Sequence, residues 1–148
     1  MKVVVQVVNN GSVKINEKEV SKIKKGYVLF VGFTYGDNLE KVYKIATKIT
    51  KLRLFPDEEG KTNLDIFAVN GEILSVSQFT LYANVVKGNR PSFTDALDPV
   101  ESEKLYDAFN NQLRELGLCV QTGVFGADMK VNLENSGPFT IIIDSEDF

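Results

Sequence analysis

The stretch YVLFVGFTYG, residues 27–36, constrains the fold more than any other part of the chain. It is strongly apolar, and Val28 through Val31 carry no polar side chain at all. In a strand, successive side chains point to opposite faces. A strand that is apolar at every position must therefore be buried on both faces. The next segment, DNLEKVYKIATKITKL, supplies a partner layer. Its Val42, Ile45, Ala46, Ile49 and Leu52 recur at helical spacing and make an inner stripe. Asp37 followed by Glu40 predicts a capping box at its start. Lys41, Lys44, Lys48 and Lys51 form a second stripe. That stripe is either a solvated face or a contact for an RNA backbone.

The remaining elements follow from the same rules. Residues 2–8 are continuous and β-branched, so they read as a first strand. GSVKIN and EVSKIKKG predict a hairpin, and LRLFPDEEGKTNLDI a short strand with a polar loop. A second helix is predicted over DPVESEKLYDAFNNQLRELG, with Asp98 as cap, Pro99 in the first turn, Glu101 completing a box and Gly117 ending it. Its apolar stripe is Leu105, Ala108, Phe109, Leu113 and Leu116. LCVQTGVF, DMKVNLEN and PFTIIID predict three closing strands. The expected fold is α+β: a mostly antiparallel sheet with a barrel-like core and two main amphipathic helices, one domain over residues 1–148. No apolar run approaches the roughly 20 residues that cross a bilayer. The N-terminus lacks the layout of a signal peptide, so the expected location is cytoplasmic.

The chain contains no histidine among its 148 residues. That excludes Ser-His-Asp and Cys-His catalysis and argues against a zinc site. Any proton transfer must use carboxylates, backbone, water or the substrate. No metal and no cofactor is expected. The one cysteine, Cys119, lies between Leu118 and Val120 and is expected to be a small core or strand residue. The formal charge of −3 is unevenly spread: residues 1–61 carry +5 and residues 62–148 carry −8. A polyanion would meet a local basic surface rather than a basic protein.

Two polar segments interrupt this pattern. VSQFTLYA, residues 76–83, reads as the end of a strand. Gln78 and Thr80 would then share the face that begins with Leu74 and Val76. The pair is either an ordinary edge of a sheet or the lining of a pocket. In a pocket, the Gln78 amide would hold a developing oxyanion, and the Thr80 hydroxyl would attack or orient a water. Without histidine, Thr80 has no evident base. The second segment, NSGPFT at residues 135–140, reads as a turn between strands.

These two segments carry a resemblance. SQFTL at Ser77–Leu81 and NSGPFT at Asn135–Thr140 are similar to the two signatures of the D-aminoacyl-tRNA deacylases. KLRLF, KGNRPSF and GVFGADM match further segments in the right order, and the resemblance covers nearly the whole chain. It implies an esterase that clears D-aminoacyl-tRNA, and glycyl-tRNA, without a cofactor. It also implies a homodimer with the active site at the subunit interface, where the 3′ end of an aminoacyl-tRNA binds. The catalytic set so implied is Ser77, Gln78 and Thr80.

Gly137 and Pro138, joined by a cis bond, would be the filter that one subunit inserts into the other's pocket. Phe79, Phe125, Gly126 and Met129 would complete the substrate-binding set, with Phe125 and Gly126 near the adenosine. Two mechanisms come with the resemblance: Thr80 as nucleophile, or hydrolysis assisted by the 2′-hydroxyl of the terminal adenosine. The lack of histidine favours the second. One departure is Val7, where the family usually carries an arginine that braces the Gly-Pro segment. A deacylase for other mischarged tRNAs and a non-catalytic RNA-binding module are the alternatives.

Overall fold

The computed structural model describes residues 1–148. Chain order is β1 (Lys2–Ile15), β2 (Lys18–Ile23), β3 (Gly26–Gly32), α1 (Leu39–Thr50), β4 (Phe55–Pro56), β5 (Thr62–Leu64), β6 (Glu72–Ser77), α2 (Pro99–Glu115), β7 (Val120–Thr122) and β8 (Lys130–Asp144). β1 pairs antiparallel with β2 and β3 on one side and with β8 on the other. β3, β6 and β7 run parallel. The two helices explain that change of direction. Parallel neighbours need a long crossover, and α1 lies in the β3–β6 connection and α2 in the β6–β7 connection.

β3 is buried on both faces, as its composition requires. Tyr27, Leu29 and Val31 enter the main core with Val42, Ile45 and Ile49 of α1 and Phe109 and Leu113 of α2. Val28 joins a smaller core with Val8, Val13, Ile23, Leu74 and Val76. β6 alternates between these cores, with Ile73 in the first and Leu74 and Val76 in the second.

Several local expectations are corrected. The N-cap of α1 is Asn38, whose side chain accepts from the Lys41 N–H, and not Asp37. Asp37 instead pairs with the Met1 ammonium at 2.5 Å, both groups being fully buried, and accepts from the Thr34 N–H at 2.8 Å. A cap is worth about 1 kcal/mol. A buried charge left without its partner costs about 3–5 kcal/mol. The ion pair therefore claims Asp37, and the cap passes to its neighbour. In α2, Asp98 accepts from Val100 and Glu101 N–H groups as expected, but the Glu101 side chain turns to Lys104 instead of closing a box. Cys119 is exposed just before β7 rather than in the core.

The hairpin loop is Asn16–Glu17, both at positive φ, and β1 runs unbroken from residue 2 into it. DMKVNLEN and PFTIIID are not two strands. They form the single strand β8, which pairs with β1 across a register shift at Val8, opposite the Gly-Pro segment. The lysine stripe of α1 is partly occupied by the C-terminal residues: Lys41 pairs with Glu146, and the Lys48 ammonium lies 5.6 Å from the Phe148 ring centre.

Candidate active site

β6 ends at Ser77, sooner than the period-two reading requires, because its parallel partner β3 stops at Gly32. The last ladder contact there is the Gln78 N–H donating to the Val31 carbonyl at 2.7 Å. Beyond it the chain satisfies itself in a 3-10 turn, Phe79–Tyr82. Gln78 and Thr80 are thus not on one strand face. The turn nevertheless joins them, and the Gln78 amide donates to the Thr80 hydroxyl at 2.5 Å.

This turn forms one wall of a cleft of about 570 Å³. Ser77, Gln78 and Phe79 line it, and Phe125, Gly126 and Met129 line the facing segment. Sequence reading thus named six residues that the fold gathers around one cavity. Thr80 lies outside the lining and takes part through its bond to Gln78. The ionisable side chains lining the cleft are Asp98 and Asp128. Asp98 is occupied in capping α2. Tyr106, behind Phe125, is buried; burial pushes its phenol up, and the hydroxyl donates to the Ser75 carbonyl at 2.8 Å. It stays neutral and serves as a donor. Gln78 therefore works beside no histidine, lysine or free phenolate.

Three contributors escaped the sequence. Phe93, also in the cleft lining, meets Phe79 edge to face at 5.1 Å. Phe125, expected near the adenosine, lines the same cleft, half-buried against the main core and tilted on Tyr106. Tyr106 falls outside the expected helical stripe. The Ser75 carbonyl that it reaches also accepts from the Gly123 N–H at 3.0 Å, which ties the two walls together.

The third contributor is Gly32. A Cβ there would lie 2.7 Å from the Gln78 carbonyl oxygen and 3.2 Å from the Leu81 Cβ. Gly32→Ala should therefore displace the turn. A misplacement of about 1 Å costs up to about 100-fold in rate. The steady-state activity of the folded protein is expected to fall by that order, and unchanged activity would show that the turn tolerates the shift.

Gly137 and Pro138, expected to act as a filter, sit elsewhere. The Gly137–Pro138 bond is cis, and both residues are exposed on β8. Neither lines the cleft. β8 reaches the cleft at its start, through Val131, and the Gly-Pro pair lies six and seven residues further along the strand. One chain thus does not bring its two signature segments together. Gly137 holds φ +123°, where an L side chain is strained, and a Cβ would meet the Phe139 nitrogen at 3.0 Å.

The segment is braced although Val7 is buried and apolar. The Asn135 amide donates to the Thr140 hydroxyl at 2.8 Å, its carbonyl accepts from the Phe139 N–H at 2.9 Å, and the Gln6 amide reaches Thr140 at 3.1 Å. The two ends of NSGPFT thus clamp its centre, a role that the turn reading hid.

No helix is long and apolar enough to cross a membrane. A protein named D-aminoacyl-tRNA deacylase from Lactobacillus gasseri is 56% identical over 144 residues, covering 97% of this chain and 99% of that one. One of the same name from Lactobacillus acidophilus is 58% identical with the same coverage. Among solved structures, the c-Myc DNA Unwinding Element Binding Protein superposes with a TM-score of 0.92 at 37% identity, over 97% of this chain and 98% of that one. A probable eukaryotic D-amino acid tRNA deacylase shares the fold, with a TM-score of 0.83 at 18% identity over 96% and 97%. The family model for D-Tyr-tRNA(Tyr) deacylase matches residues 4–144, and on these grounds the chain belongs to that family.

Proposed function

We propose that the chain hydrolyses the ester of D-aminoacyl-tRNA as a homodimer in the cytoplasm, where charged tRNA circulates. The observation that carries this is the Gln78 amide fixed by Thr80 at a cleft whose lining holds no histidine, lysine or arginine. Water attacks the aminoacyl carbonyl. The oxyanion that forms is held by the Gln78 amide, with Thr80 orienting that amide. The ester C–O bond to the ribose breaks, and the terminal 2′-hydroxyl relays the proton from the attacking water to the leaving 3′-oxygen. The products are the free D-amino acid and tRNA. The Phe79–Phe93 pair stacks the terminal adenine.

The dimer rests on the separation of the two signature segments and on β8. Pro138, Thr140 and Ile142 project from one face of that strand, and Ile142 is 71% exposed. Carried across an interface, Gly137 and Pro138 of one protomer close the cleft of its partner and crowd the place of an L side chain. The test is a time course on D-tyrosyl- and L-tyrosyl-tRNA with sedimentation of the same sample. Rapid cleavage of the D-ester alone by a dimer is expected. Equal cleavage of both enantiomers defeats the chirality assignment, and a fully active monomer defeats the shared site. A binding module without catalysis, suggested by the name of the 37%-identical relative, predicts nucleic-acid binding and no turnover.

A further inference from the structure

We propose that the loop between Asn84 and Ser92 grips the phosphate backbone of the tRNA acceptor strand through Lys87 and Arg90. The proposal rests on the deacylase reading and adds a contact surface to it.

The loop has a fixed base and a free tip. Asn84 and Ser92 exchange backbone hydrogen bonds of 2.8 and 2.9 Å, and the Asn84 side chain accepts from the Val86 N–H at 3.0 Å. Both ends are anchored at the cleft. The loop leaves directly after the turn that carries Gln78, and it returns at Phe93, which lines the cleft and packs on Phe79. Gly88, at φ +69°, makes the bend. It lies four residues from Asn84, so the tip stands at most about 13 Å from the paired base. Lys87 and Arg90 flank that bend, on a loop whose return leads into Phe93 of the cleft lining.

Charge supplies the second observation. The cleft lining contains no lysine or arginine, and its ionisable groups are the carboxylates Asp98 and Asp128. The half of the chain that forms most of the site is net −8 over residues 62–148 and holds only five cations. Three of these are engaged: Lys104 with Glu101, Lys130 with Glu17, and Arg114 with Asn111 and the Val120 carbonyl. Lys87 and Arg90 are the other two, both exposed and neither in an ion pair. An RNA end entering this cleft brings phosphates toward carboxylates, and Lys87 and Arg90 are the two cations of this half of the chain left to meet them. Arginine suits bidentate phosphate contact, and lysine acts as a mobile point charge.

The test uses the full-length protein, an uncharged acceptor-stem minihelix, D-tyrosyl-tRNA and D-tyrosyl-adenosine. Minihelix binding is followed by fluorescence anisotropy over a salt series for wild type, the double variant Lys87→Gln/Arg90→Gln, and Arg90→Lys. Each phosphate contact on a single strand contributes about 0.7 to the slope of log affinity against log salt, so the double variant should lose about 1.4 from the slope and about tenfold in affinity at low salt. Arg90→Lys should keep most of the slope. On D-tyrosyl-tRNA the double variant should show a raised KM with kcat unchanged. On D-tyrosyl-adenosine, which has no phosphate, it should match wild type.

An unchanged salt slope overturns the proposal, and so does an equal loss on D-tyrosyl-adenosine. A double variant that sediments as a monomer also overturns it, because the tip would then be holding a second copy of the chain. The binding measurement needs no cleavage: a wild type that shows the loop-dependent slope but no turnover supports the phosphate grip and defeats the deacylase reading.

Discussion

Gln78→Ala is expected to lower the single-turnover rate on D-tyrosyl-tRNA by about 100- to 1,000-fold, the usual effect of removing one oxyanion donor. Thr80→Ala is expected to cost about tenfold, the rate equivalent of one ordinary hydrogen bond. The ordering follows from the geometry. Gln78 lines the cleft, whereas Thr80 stands behind it and accepts the Gln78 amide. No hydrogen bond joins Thr80 to a base: its hydroxyl accepts from the Gln78 amide, and neither carboxylate of the cleft, Asp98 or Asp128, bonds to it. A dead Thr80→Ala beside a nearly normal Gln78→Ala would reverse the assignment and make the threonine the nucleophile. A substrate with hydrogen in place of the terminal 2′-hydroxyl provides the companion measurement. Its hydrolysis should slow by about 100-fold or more, within the range of general acid–base contributions. Unchanged hydrolysis would remove the RNA-assisted route.

The second large effect concerns handedness. L-tyrosyl-tRNA should be cleaved at least about 100-fold more slowly than D-tyrosyl-tRNA, because even one misplaced methylene can be worth that much in a tight site. Glycyl-tRNA should be cleaved measurably. The crowded position holds a hydrogen in glycine and in every D-residue, so a filter that only rejects cannot exclude glycine. A filter that recognises a D side chain positively would ignore glycine. Side-by-side time courses at equal enzyme concentration separate the two: rapid D-tyrosyl cleavage with inert glycyl-tRNA defeats rejection alone. The bracing of Gly137–Pro138 by Asn135, Thr140 and Gln6 bears on leakage. Thr140→Val removes the acceptor shared by the Asn135 and Gln6 amides, and it should raise L-tyrosyl cleavage more than it lowers D-tyrosyl cleavage.

Much of this was legible in the residues. The unbroken apolar run of β3 required two cores, and both are present. The stripe from Val42 to Ile49 fixed the buried side of α1, and Asp98 with Pro99 marked the start of α2. Local patterns also failed where a tertiary partner changed the outcome. Asp37 looked like a cap until the Met1 ammonium claimed it. NSGPFT looked like a turn because its composition is that of turns, yet pairing with β1 on either side carries the strand through it.

The sequence by itself determined the two helices and the buried strands, the two cores, the absence of histidine chemistry and the two polar segments that stand apart from the core pattern. Those features depend on side-chain periodicity and residue type, which are local. Only the tertiary structure decided where the segments lie. Gln78 joins Thr80 because β3 ends at Gly32 and leaves the following residues without a ladder, so they close a 3-10 turn. Phe93, Tyr106 and Gly32 enter the site through contacts with residues 14, 31 and 46 positions away in the chain: Phe79, Ser75 and Gln78. Gly137–Pro138 lies on β8 away from Val131, the residue by which that strand lines the cleft. A one-dimensional pattern records which side of an element is apolar, but it does not record which neighbour will cover that side or where that neighbour stops.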